Sequence, residues 1–186
     1  MPIIGELMAG FARVAAANPL ATRREGRTGQ QLVTVDDENR WIGFPYPRFL
    51  NSNAFIDQAA AVVMTSVKVA RELRIPESKW VFLHGCADGH DHWYVSERIN
   101  LYSSPAIRAA SRLALSMAGR SIADFEFLDL YSCFSSAVEI GCQEMGLAED
   151  DPRGLTVTGG LPFFGGPGNN YVTHSISEMV RRVRSK

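Results

Sequence analysis

The chain has 186 residues, enough for one ordinary domain with or without an appendage. Its residues are 46% hydrophobic and 21% charged, the formal net charge is -1, and the sequence pI is about 6.4. That balance excludes a disordered chain and gives no electrostatic footprint for nucleic acid or an anionic membrane surface.

In chain order, Ile3, Leu7, Phe11 and Val14 recur at helical spacing, Pro2 suits a first turn and Asn18-Pro19 ends the run, which predicts a helix over 2–17. Residues 20–40 are polar, carry charges of both signs and include Gly26 and Gly29; they read as a long loop or excursion. Residues 40–49 (RWIGFPYPRF) are aromatic with two prolines, hence extended but unsuited to a central strand. A different pattern begins near Asn51. Residues 59–66 (AAAVVMTS) form an apolar β-branched run expected to be a strand, followed by a helix over 67–75 that Pro76 stops. Residues 79–85 (KWVFLHG) are a buried-strand candidate, and Ser104-Pro105 reads as the N-cap and first residue of a helix through Met117.

Residues 125–131 (FEFLDLY) form the next predicted strand. Phe134, Val138 and Cys142 then stack at i, i+4 spacing, with Ala137, Gly141 and Met145 alongside and Ser136 and Glu139 as a capping box at the helix start. Residues 154–160 (GLTVTGG) read as a short strand. A glycine-rich loop leads to a last helix with Val172, Ile176, Met179 and Val183 on one face. The basic residues Arg181, Arg182, Arg184 and Lys186 read as a solvated helix end that complements the dipole. Strand and helix alternate, so the expected fold is a layered α/β domain with a mixed sheet, incomplete at both ends. There are three cysteines, Cys86, Cys133 and Cys142. The odd number, the lack of a secretory pattern and the lack of a run long enough to span a bilayer place the expected protein in the cytoplasm with reduced thiols.

Blocks of this sequence, in order, resemble the C-terminal half of thiolases, especially the sterol-carrier-protein-type and thiolase-like branches. Residues 51–75 are similar to the family's asparagine-containing turn, then an Asp with small residues, a strand and a helix. Residues 103–131 resemble the Pro-containing helix and the strand leading into the active site. YSCF (131–134) stands in place of the Asn-Glu-Ala-Phe or His-Asp-Cys-Phe box, and GGLPFFGGPG (159–168) in place of the Gly-Gly … Gly-His-Pro loop.

The resemblance implies that residues 1–48 are part of the excursion domain that covers CoA and that 49–186 are the C-terminal thiolase-like domain. It implies acyl transfer of the acetyl-CoA acetyltransferase kind in lipid metabolism, with a CoA thioester as substrate and no resident cofactor. It also implies missing parts: the nucleophilic cysteine belongs to the N-terminal half, and a second cysteine near the extreme C-terminus serves the family as base. Gly166 stands where the motif His should be, and Tyr131 where Asn or His should be. The catalytic candidates are therefore Tyr131, Cys133, Gly166 and His174, and the CoA or acyl contacts are Asn51, Asn53, Phe163, Phe164, Gly165, Asn169 and Asn170.

Alternatives stand beside these assignments. His174 replaces the absent motif His or faces solvent; Cys133 is reactive or a buried structural thiol, while Cys142 reads as core. Ser132 replaces an acidic residue and brings no charge. Residues 84–92 gather His84, Cys86, Asp88, His90, Asp91 and His92, the right ligand types for zinc or iron but without a standard spacing, so a hydrogen-bonded histidine cluster is expected and no metal. A metal-dependent hydrolase centred on His84, His90 and His92 is the competing enzyme reading. The expected partners are acyl-CoA and either a separate N-terminal thiolase half or a second copy, with no turnover by this chain alone. The other readings are a non-catalytic CoA-ester-binding or assembly module, or a lipid-transfer-type CoA-thioester aldolase subunit in which Tyr131 moves protons.

Overall fold

The computed structural model describes residues 2–186. Its helices are α1 (Pro2–Ala17), α2 (Gly29–Val33), α3 (Val67–Glu72), α4 (Pro105–Ala118), α5 (Ser135–Met145), α6 (Gly160–Phe163) and α7 (Tyr171–Arg184). A small antiparallel ladder joins β1 (Trp41–Gly43) to β2 (Tyr46–Pro47), inside the aromatic segment expected to be extended.

One hydrophobic core draws on α1, α2, Phe49, Leu50, the segments around Leu128 and Leu155, α5, α6 and Tyr171. In α1, Leu7 and Phe11 turn inward as expected, whereas Ile3 is exposed and Met8, Ala12 and Ala15 complete the buried face. The small side chains matter because the Gly159 turn lies directly on them: a Cβ built on Gly159 would sit 2.5 Å from Ala15 Cβ and 2.7 Å from its Cα. Helix α2 corrects the reading of 20–40 as irregular. Thr28 and Gln31 form a capping box, with Gln31 N donating to Thr28 Oγ1 at 3.3 Å and Thr28 N donating to Gln31 Oε1 at 2.8 Å. The far end of α2 is closed by buried Asn39, whose amide donates to Leu32 O (3.0 Å) and Thr34 O (2.7 Å) while its carbonyl accepts from Phe49 N (2.8 Å). These bonds satisfy carbonyls that a helix end leaves open and fold the excursion back onto the core.

Helix α4 begins where expected. Ser104 caps it by accepting from Ile107 N, and Pro105 occupies the first turn. Glu144 of α5 accepts from Ser104 N (2.8 Å) and from Arg108 Nε (2.6 Å), which fastens the two helices together. The capping box expected at Ser136 and Glu139 is not formed: α5 starts at Ser135, two residues earlier than that box requires, with Phe134 at the N-cap and no side-chain cap, and Ser136 Oγ accepts from Tyr46 OH at 2.9 Å instead.

The predicted strands 59–66, 79–85, 125–131 and 154–160 run without ladders among the described residues, and one backbone bond, Leu130 N to Leu155 O at 2.9 Å, links the last two. Periodicity identifies a segment able to join a sheet but does not supply the neighbour that completes it. Residues 54–118 add only Ala70 and Ser104 to the interior, leaving Val63 87% exposed. The last helix also departs from expectation: Val172, Ile176 and Val183 face outward, and Tyr171 and Ser175 are the buried residues of α7. Polar attachment to Asp129 and Thr158 and aromatic contact with Phe164 hold that other face inward. No described helix is long and apolar enough to cross a membrane.

Candidate functional site

The site is built around a buried carboxylate that pattern reading overlooked. Asp129 accepts from Ser175 Oγ (2.7 Å), Thr156 Oγ1 (3.0 Å) and Val157 N (2.9 Å). Burial raises its pKa, and these donors oppose the rise. The hydroxyls continue outward: Thr156 Oγ1 lies 3.4 Å from Thr158 Oγ1, which lies 2.8 Å from Tyr171 OH. They also collect the backbone donors of the glycine turn. Gly159 N reaches Thr156 Oγ1 (3.1 Å), Gly160 N reaches Thr158 Oγ1 (3.1 Å) and Leu161 N reaches Ser132 Oγ (3.1 Å). Ser132, which cannot provide a charge, thus secures the turn with its hydroxyl. A polar web so fully paired is rigid.

Tyr131 stands at the edge of this web. Its ring meets the buried Tyr171 edge-on, with centroids 5.7 Å apart, and the residue is 48% exposed. Its hydroxyl has no hydrogen-bond partner among the described residues, in contrast to Ser132, Thr156, Thr158, Tyr171 and Ser175 around it. Desolvation raises the pKa of Tyr131, so the phenol holds its proton at neutral pH. Cys133, half-buried, is likewise raised by burial and stays a thiol; Cys142, buried in the core, is pushed up to about 11, first by burial and then by Glu149, Asp151 and Glu139. His174 turns toward the core side of α7. Its ring lies 5.2 Å from that of Phe164, its Nε2 is buried without a partner among the described residues, and desolvation lowers its pKa.

The loop after α6 is packed closely. Phe163 and Phe164 are core residues, and Gly165 and Gly166 are buried. Gly166 N donates to Asn53 O (2.8 Å), and a Cβ at Gly166 would fall on Ser52 Oγ, so no side chain enters where a motif histidine would stand. Gly165 has φ +139° and faces Gln58, whose amide donates to Leu20 O (3.0 Å) and Phe164 O (3.1 Å). Asn53 joins the loop through its backbone to Leu161 O (3.0 Å) and through Nδ2 to Thr22 Oγ1 (3.2 Å). Asn51 directs its amide to Pro47 O (2.8 Å). Asn170 makes a two-way bridge to the backbone of Ala60 (2.8 and 3.1 Å), as a strand neighbour would, and Asn169 is exposed. Gln58, Ser52, Asp129 and Tyr171 were all missed by pattern reading. Only Asp129 carried a local signal, as a charged residue inside an otherwise apolar predicted strand.

Outside this region, Arg27, Arg23 and Arg48 place their guanidinium carbons 3.9, 5.8 and 5.9 Å from the ring of Phe49. None of the three has a carboxylate partner within ion-pair distance among the described residues. Among the described residues, no group of three or more His, Cys, Asp and Glu side chains is placed to hold a metal ion, which removes the support for a hydrolase centred on His84, His90 and His92. Asp91 of that stretch caps α4, accepting from Ser104 Oγ (2.5 Å) and Ala106 N (3.2 Å).

Residues 87–167 match the family model "Thiolase C-terminal domain-like". The whole chain superposes on 40% of a monomeric SCP2-thiolase like protein type 1 (STLP1) from Mycobacterium smegmatis, with 44% identity and a TM-score of 0.89. It also superposes over 99% of its length on 50% of a chain of the Ltp2-ChsH2(DUF35) aldolase, at 18% identity and a TM-score of 0.74, a likeness of fold alone. The chain therefore spans half or less of each of these solved chains. No curated protein matches it.

Proposed function

Since the chain belongs to the thiolase superfamily and corresponds to its C-terminal half, we propose that it forms one wall of a site for a CoA thioester and presents Tyr131 to the thioester carbonyl. The observation that carries this reading is the contrast among hydroxyls. Those around Tyr131 are committed to one another and to the glycine turn, while the Tyr131 phenol is protonated, half-exposed and braced by Tyr171. A free donor on a rigid support suits the developing charge of a polarised carbonyl. The turn contributes shape rather than donors, because the N–H groups of Gly159, Gly160, Leu161 and Gly166 are already bonded. The guanidiniums of Arg23, Arg27 and Arg48 supply the positive ground that the phosphates of CoA require.

This wall lacks an activated nucleophile. Gly166 offers no base, and Cys133 remains a thiol. The chain alone is therefore a binder that does not turn over acetoacetyl-CoA, and acyl transfer requires a cysteine-bearing thiolase-like half. The exposed apolar segments 62–64 and 81–83, which lack ladder partners among the described residues, suit docking of such a half. Calorimetry with acetyl-CoA, together with a thiolysis assay on acetoacetyl-CoA, tests the reading: saturable binding without turnover is expected. Enzyme-like turnover by the purified chain, or no binding of any CoA ester, refutes it. A second reading rests on the paired phenols Tyr131 and Tyr171: aldol chemistry with Tyr131 as proton donor in an assembly with another subunit. Retro-aldol cleavage of a β-hydroxyacyl-CoA, abolished in Tyr131→Phe, separates it from the first.

A further inference from the structure

A cavity of about 710 Å3 lies between residues 90–103 and the first turns of α4, and Tyr131 is not part of its lining. Tyr131 precedes the N-terminal end of α5, whereas Glu144, which anchors the Arg108 side of the cavity, lies near its C-terminal end. A helix of this length puts about 16 Å between its two ends, so the cavity is separate from the proposed thioester site.

The loop over the cavity is fastened at several points. Asp91 is bound to Ser104 Oγ and Ala106 N, Arg98 Nε donates to His92 O (3.0 Å), and Asn100 Oδ1 accepts from Tyr102 N (3.1 Å) and Ser103 Oγ (2.8 Å). This secured backbone nevertheless leaves Trp93 84% and Tyr94 71% exposed on the cavity lining. Among the described residues neither the Trp93 indole N–H nor the Tyr94 hydroxyl has a side-chain hydrogen bond, and Arg98 bonds only through Nε. The charges on the opposite side are answered. The Asp91 carboxylate is held by the α4 N-terminus, and Glu144, fully buried, is neutralised by Arg108. Asp91 and Glu144 are thus both paired, and no metal-binding group of three is present among the described residues. Open donors and open aromatic faces remain.

We propose that this cavity binds a planar aromatic carboxylate, its ring against Trp93 and Tyr94 and its carboxylate on the free edge of the Arg98 guanidinium. A planar fork of N–H donors matches a carboxylate, flat apolar faces match a ring, and a cavity of several hundred Å3 is the usual size for such a ligand. Glu97, on the same lining, forms the polar rim and excludes ligands carrying a second negative group there. The site stands independently of the thioester reading.

The test is calorimetric titration of the full chain with 2-naphthoate, and with the neutral analogue 2-naphthylmethanol. Saturable binding of 2-naphthoate is expected, with Trp93→Ala and Arg98→Ala each raising Kd about tenfold and the neutral analogue weaker by a similar factor. Both variants alter exposed loop residues, and their circular dichroism confirms the fold. Saturating acetyl-CoA leaves the naphthoate Kd unchanged. No heat with 2-naphthoate, equal binding by both variants, or competition with acetyl-CoA overturns the proposal.

Discussion

Gly159 is the position where the close approach of the site to α1 can be measured. Its φ of +112° lies outside the range an L-residue adopts readily, and an added Cβ would meet Ala15 Cβ, Cα and N at 2.5–2.8 Å. Two penalties then combine in Gly159→Ala. A non-glycine residue held at such a φ costs about 1–2 kcal/mol, and overpacking against backbone that cannot rotate away costs about 1–3 kcal/mol. The expected loss is therefore roughly 3–4 kcal/mol, taking mid-to-upper values because Ala15 belongs to the middle of the core. Gly119→Ala is the control. Gly119 caps α4 at φ +61° with open space around its Cβ direction, so only the backbone penalty of about 1 kcal/mol applies. In urea unfolding, with a slope of about 2 kcal/mol per molar, Gly159→Ala should lower the midpoint by about 1.5–2 M and Gly119→Ala by about 0.5 M, both with unchanged slope. Equal losses for the two variants would refute the claim that the turn is seated against α1.

The buried carboxylate predicts a pH signature. Its pKa is raised on folding, so the native state holds the proton more tightly than the unfolded chain. This contribution to stability is fully present below the unfolded carboxyl pKa and is lost as pH rises through the folded value. The stability difference between the natural protein and Asp129→Asn should therefore fall as pH rises through that window, which urea midpoints across the acid range measure; a difference independent of pH contradicts the buried assignment. Burial lowers the His174 pKa, so its ring signal in NMR should titrate below the ordinary histidine value, and titration at or above that value would show a solvated ring. Arg27→Ala should weaken acetyl-CoA binding about tenfold, less in high salt, and leave pantetheine binding unchanged. An equal loss for pantetheine would place the guanidinium outside the phosphate contacts. Tyr131→Phe should leave the unfolding free energy within about 0.5 kcal/mol of that of the natural chain, because its hydroxyl bonds to nothing described.

Local chemistry made several elements legible. Ser104 and Pro105 announce α4, Asn18-Pro19 closes α1, and Thr28 with Gln31 announces α2, a signal present in the residues though passed over. The ordered run of blocks from Asn51 to Gly168 was enough to identify the thiolase superfamily, because a chain of degenerate motifs in order is far more specific than any one of them. Burial was another matter. Val172, Ile176 and Val183 make an apolar stripe by spacing, yet α7 turns Tyr171 and Ser175 inward because Asp129, Thr158 and Phe164, remote in the chain, supply partners for that face. The web of hydroxyls on the glycine turn, the Ser52 contact that closes Gly166 and the cavity beneath Trp93 have the same origin. Helical spacing and caps depend on neighbours a few residues away, so the amino-acid order by itself determines them. Which face is buried and which donor stays free depend on residues brought together from far along the chain, and only the tertiary structure decides those.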